Sequence, residues 1–187
     1  MSISLVKDLD GSSSDSKPLT LYGPNYAELN NYFYFNANTS GGEALWRTDG
    51  TEAGTTLIKQ INSSSFLNIR HLFKYGDYLY FSGDDGTNGE EIWISDGTNE
   101  GTKLLKDIST GSSNSSPRNF TQKGGYIYFS ASNTSSGSAL WRTDGTESGT
   151  IIVKDFGDDS SNVLAGYQQD IGFVEFKSNF YFSLNDG

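Results

Sequence analysis

A single histidine, His71, and the absence of cysteine limit the chemistry that this 187-residue chain can carry out with its own side chains. A Ser–His or Cys–His nucleophile needs a base beside it, so every such arrangement would have to pass through His71. That residue stands beside Leu72 and Phe73 with no recurring partner, which reads as a packed or surface histidine. Paired carboxylates are the next option: Asp84 with Glu90, and Asp158 with Asp159. Glycoside hydrolysis needs two carboxyl groups facing each other across a pocket, and the spacing singles out neither pair. The arginines Arg47, Arg70, Arg118 and Arg142 do not suggest a converging triad, because Arg47 and Arg142 occupy equivalent positions of a repeat. The expectation is that the chain is not an enzyme.

Two binding chemistries remain. The stretch Asp84-Asp85-Gly86-Thr87-Asn88-Gly89-Glu90-Glu91 offers closely spaced oxygens around two glycines. Hard cations favour such a donor set, so Asp84, Asp85, Asn88 and Glu90 are the candidate calcium ligands, and no other cofactor is expected. It is not an EF-hand loop, and the equivalent stretches at 38–43 and 133–138 are poorer in carboxylates, so a solvated turn is the competing reading. Residues 155–159 form a second acidic loop. Trp46, Trp93 and Trp141 are candidates for stacking against a glycan; the competing reading places them in a core between sheets.

The elements that must position these residues recur along the chain. The tryptophans lie 47 and 48 residues apart, the mark of a repeat architecture. Each opens a segment running into Asp-Gly-Thr and then Gly-Thr, with Asp49, Gly50 and Thr51, Asp96, Gly97 and Thr98, and Asp144, Gly145 and Thr146 in register. An apolar run follows each time, at Leu57-Ile58-Lys59, Leu104-Leu105-Lys106 and Ile152-Val153-Lys154, with a further copy at Leu5-Val6-Lys7. Upstream lie the aromatic runs 32–35, 78–81 and 126–129, and another at 180–182. A shorter apolar stretch precedes each of these runs.

One repeat therefore reads as four short β-strands joined by Gly, Asp and Asn turns. In the aromatic strand both alternating positions are apolar, so both of its faces should be buried. Antiparallel four-stranded units repeated at this period describe the blades of a β-propeller. The aspartates are expected to be structural: each can accept backbone N–H bonds within its turn, while the glycines allow positive φ.

Composition narrows the partners. The formal net charge is −10, which argues against nucleic acid and against anionic membrane surfaces. No run approaches transmembrane length, and the N-terminus carries no apolar signal core, so any export address is expected outside this stretch.

The segment Trp141-Arg142-Thr143-Asp144-Gly145-Thr146-Glu147-Ser148-Gly149-Thr150, followed by Val153-Lys154-Asp155, resembles the ELWxxDGT repeats of bacterial proteins. The resemblance covers nearly the whole chain, with Ala44 and Ala139 in place of the glutamate and Ile92 in place of the leucine. It implies a propeller-like fold and an extracellular or surface-associated protein. The turn is also similar to the Asp-box of sialidase-type propellers, which is itself structural.

The expected organisation is one repeat domain over 1–187. It opens with the outer strand of an incomplete blade in 1–10, has blades in 19–61, 66–108 and 118–156, and ends with half a blade in 171–187. Ring closure would then need a tryptophan strand that this stretch lacks. The expected partners are a second copy of the chain completing a ring, or flanking repeats of a longer polypeptide, together with a glycan or protein ligand. The expected role is a binding or scaffolding module that recognises its ligand through inter-blade loops. A lectin or carbohydrate-active propeller is the alternative.

Overall fold

The computed structural model describes residues 6–9, 25–39, 41–63, 69–133, 137–155, 174–177 and 179–181. The chain divides into two compact units, one comprising Met1–Gly86 with Trp93–Lys103, the other Thr87–Ile92 with Leu104–Gly187. The described residues are all-β and form three four-stranded antiparallel sheets and a short hairpin.

The first sheet has the order β1 (Tyr26–Leu29), β2 (Tyr32–Thr39), β3 (Gly42–Thr48) and β4 (Thr56–Asn62). The second runs β5 (Ile69–Tyr75), β6 (Tyr78–Asp84), β7 (Glu90–Ser95) and β8 (Lys103–Lys106). The third consists of β9 (Arg118–Lys123), β10 (Tyr126–Asn133), β11 (Gly137–Thr143) and β12 (Ile151–Asp155). The hairpin pairs β13 (Val174–Phe176) with β14 (Asn179–Tyr181). Each sheet is a meander of neighbouring strands, so tight turns suffice to connect it.

Two-residue turns set the register of the first pair in each sheet. Asn30 and Asn31 have φ of 52° and 64°, and Gly124 and Gly125 have 57° and 85°. Positive φ at both central residues is the type I′ turn, whose twist matches that of the strands it joins. The register then places Phe35 opposite Trp46, and Phe129 opposite Trp141. Phe129 stacks on Trp141 with centroids 6.5 Å apart, and in the second sheet Phe81 stacks on Trp93 at 6.2 Å. The pairing of the tryptophan strand with the outer strand shifts register beside Trp46 and again beside Trp141.

The core of each sheet comes from the aromatic and tryptophan strands. Leu79, Phe81, Ile92, Ile127 and Phe129 are fully buried, and so is Leu45. Burying a side chain of this size contributes about 1.5–3 kcal/mol, so these central pairs carry much of each sheet's stability.

Only part of the expected opening strand is described. Residues 6–9 form no regular strand, although they seat on the first sheet: Leu9 packs against the cluster of Ala37, Ala44 and Trp46. Residues 1–5 and 10 of the expected opening strand lie outside the described residues.

Candidate functional site

The Asp-Gly-Thr turns are built identically in all three sheets. Asp49 Oδ1 accepts from the Thr51 backbone N–H at 2.9 Å and from its hydroxyl at 2.7 Å. Thr51 Oγ1 in turn accepts from Gly54 N at 2.9 Å. The Thr55 hydroxyl donates to Thr51 O at 2.6 Å and lies 2.7 Å from Thr48 Oγ1, which itself accepts from Gly50 N. Asp96 and Asp144 repeat the pattern on Thr98 and Thr146.

Hydrogen bonds from the threonine hydroxyl, then from its N–H, hold all three carboxyls below the usual aspartate range. Gly50, Gly97 and Gly145 have φ of 89°, 87° and 93°, the left-handed region that side chains avoid. The later glycine of each turn is needed for a different reason. A Cβ at Gly54, Gly101 or Gly149 would collide with the carboxylate of Asp49, Asp96 or Asp144. The geometry makes these aspartates clasps of their own turns.

Lysines of the outer strands reach the next turn along. Lys59 Nζ donates to Asn99 O, and Lys106 Nζ to Glu147 O, each at 3.3 Å; Lys7 Nζ donates to Thr55 O at 2.9 Å. The recurring Lys of each apolar run thus ties one repeat to the turn of the following one.

Two buried glutamates, absent from the sequence-based candidates, hold the connections between repeats. Glu43 Oε1 accepts from Asn36 Nδ2 at 2.6 Å and from Ile69 N at 3.3 Å. Glu91 accepts from Ile108 N at 2.8 Å, Ser109 N at 3.0 Å and Ser115 Oγ at 2.6 Å. Burial pushes the Glu91 carboxyl above its usual range, and these hydrogen bonds only partly oppose the shift.

The tryptophan candidates are corrected. Trp46, Trp93 and Trp141 are buried, because each indole lies on the phenylalanine of the neighbouring aromatic strand or within that sheet's core. Trp93 Nε1 donates to Gly83 O at 3.1 Å. They are therefore not a sugar-stacking surface.

The calcium candidates make hydrogen bonds within the protein. Asp84 Oδ1 accepts from Gly86 N at 2.7 Å, closing its own turn, and Glu90 Oε2 accepts from Ser116 Oγ at 2.9 Å. Among the described residues no three His, Cys, Asp or Glu side chains gather as a metal would require.

A groove of about 680 Å³ does open in the first unit. Three turns form it: the β1–β2 turn with Asn30 and Asn31, the β5–β6 turn with Gly76 and Asp77, and the Asp49 turn. Glu28, Asp49 and Asp77 supply carboxylates, Lys74 an ammonium, and Tyr32 and Phe33 the rings. The guanidinium of Arg47 lies 4.3 Å from the centroid of the Tyr32 ring and steadies that wall. The sequence offered no motif for the groove, because its three turns are far apart in the chain.

No family model matches the sequence, and no curated protein matches it. Two solved structures are similar at the level of backbone. A puromycin hydrolase mutant complexed with PGG matches over 70% of this chain and 20% of its own, at 11% identity and a TM-score of 0.48. An α-L-arabinofuranosidase from Clostridium thermocellum matches over 83% and 57%, at 14% identity and a TM-score of 0.32. The chain thus spans a fifth of the first and about half of the second. Among the described residues no helix is long and apolar enough to cross a membrane.

Proposed function

We propose that the three sheets are blades of a propeller-type repeat array, and that the chain is a non-catalytic binding module of a bacterial extracellular or surface protein. The groove at the turn end of the first unit carries this reading. It is concave and lined by turns, and turns tolerate variation in sequence while a rigid sheet positions them. The extracellular, bacterial setting rests on the resemblance to ELWxxDGT repeats.

The lining favours an oligosaccharide as ligand. Sugar rings present apolar C–H faces to aromatic side chains and hydroxyls to carboxylates and amides, and Tyr32, Asp77, Asn30 and Asn31 offer both. Titration calorimetry against a panel of soluble oligosaccharides tests the proposal. Saturable binding that weakens about tenfold or more in Asp77→Ala and Lys74→Ala, with unchanged melting, supports it. Binding indifferent to both substitutions removes the groove from the account, and turnover of any panel member overturns the non-catalytic reading.

A further inference from the structure

We infer that the face of the first sheet carrying Tyr26 and Phe33 is an interface for a second copy of this chain. The second copy's third sheet and following hairpin dock on it head to tail. Phe33 is 38% exposed, while its repeat equivalents Leu79 and Ile127 are both 0% exposed. Tyr26 is more exposed still and lies stacked on Phe33, ring centroids 5.2 Å apart. An exposed aromatic pair, with Phe33 at a position the same chain buries in its other two sheets, marks an uncovered interface.

Within the first unit the corresponding face of the second sheet is covered by a repeat. There β1, β2 and β3 lie against β5, and β4 lies against β6. The same contact is already begun on the first sheet. Lys7 reaches the Asp49 turn at Thr55 O, as Lys59 reaches the Asp96 turn at Asn99 O, and Leu9 packs on the same cluster as Phe35, so residues 6–9 stand where the outer strand of a preceding repeat belongs. The patch formed by Tyr26 and Phe33 continues that contact through Phe35, whose ring centroid is 6.2 Å from that of Phe33.

The third sheet of the second copy supplies the complement. Val153 on β12 is 46% exposed, whereas its equivalents Ile58 and Leu105 are 5% and 6% exposed. The β13–β14 hairpin that follows β12 occupies the repeat phase of β5–β6 and β9–β10. A second copy therefore brings two of the three strands that belong between a β12-type strand and residues 6–9, leaving only the tryptophan strand unfilled. One face is aromatic and the other aliphatic, so the contact is heterologous: it either closes a ring or continues as a filament. The formal charge of −10 on each copy opposes the approach, so added salt strengthens association.

The test is light scattering and native mass measurement on the wild type, Tyr26→Asp and Val153→Asp. Tyr26 lies outside the groove, and both side chains are exposed, so circular dichroism and melting should not change. The wild type should associate, each variant alone should be monomeric, and an equimolar mixture of the two should associate again. The mixture recovers because each variant keeps the face the other has lost. A wild type that stays monomeric up to its solubility limit in high salt overturns the proposal. So does association that survives both substitutions, and so does a mixture that remains monomeric.

Discussion

Replacing Glu91 with alanine should cost far more than a typical surface change. The carboxylate is fully buried and satisfies two backbone N–H groups, on Ile108 and Ser109, together with the Ser115 hydroxyl. Each buried donor left without a partner costs about 1–3 kcal/mol, and a truncated side chain leaves a void that water only partly fills. With some relaxation of the Ile108–Ser115 stretch, Glu91→Ala should lose about 3–5 kcal/mol of stability in urea unfolding. Glu91→Gln keeps an acceptor and the volume but turns an amide N–H₂ toward a donor, for a loss of about 1–2 kcal/mol.

Titration adds a signature specific to this carboxyl. Burial raises the folded pKa above the ordinary value of 4.5, so the Glu91 contribution is fully present below 4.5 and is lost as pH rises through the folded value. Wild type minus Glu91→Gln should therefore show a larger stability difference near pH 4.5 than at neutral pH. The three turn aspartates, common to both proteins, cancel in that difference. A Glu91→Ala protein that unfolds at the wild-type urea midpoint would refute the reasoning.

Further outcomes follow from the turns and the sheet faces. Thr51→Val removes the hydroxyl that most lowers the Asp49 pKa, so its titration in NMR should move up toward 3.8. The stability linked to that carboxylate is present above 3.8 and lost as pH falls through the folded value. Gly97→Ala should destabilise more than Gly50→Ala, because a Cβ at Gly97 meets the Tyr34 hydroxyl whereas nothing lies near Gly50; equal melting shifts would contradict this. Gly145→Val should cost about 1–3 kcal/mol in denaturant unfolding, since a β-branched residue resists φ of 93°. Ile58→Asp should cost about 3 kcal/mol or more, whereas Val153→Asp at the equivalent exposed position should leave the monomer's melting unchanged.

How much was legible follows from where the information lay. The spacing of Trp46, Trp93 and Trp141 and the alternation of aromatic residues are local patterns, and they identified the strands, the meander order and the turns. The positive φ at Gly50, Gly97 and Gly145 was readable because Asp-Gly-Thr is chemistry confined to one turn. Gly54 was not, because its role is to leave room for a side chain five positions earlier.

Glu43 and Glu91 were missed for a related reason. A carboxylate in a strand looks solvated until its partners, 7 to 26 residues away, are known. The acidic loop at Asp84 and Asp85 is read differently by sequence and by structure. Closely spaced oxygens suggest a cation, yet in the structure Asp84 satisfies a local backbone N–H. Tryptophan identity alone does not tell a stacking platform from a core residue, and the register opposite Phe35 and Phe129 decided for the core. The groove, assembled from three separate turns, had no sequence signature.

The most direct test of the binding reading is an amide chemical-shift map of the labelled chain titrated with the tightest oligosaccharide of the panel. The account predicts saturable shifts centred on Asn30, Asn31, Tyr32, Lys74 and Asp77, with the buried tryptophan indoles unmoved. Shifts centred elsewhere, or none with any member of the panel, would contradict it.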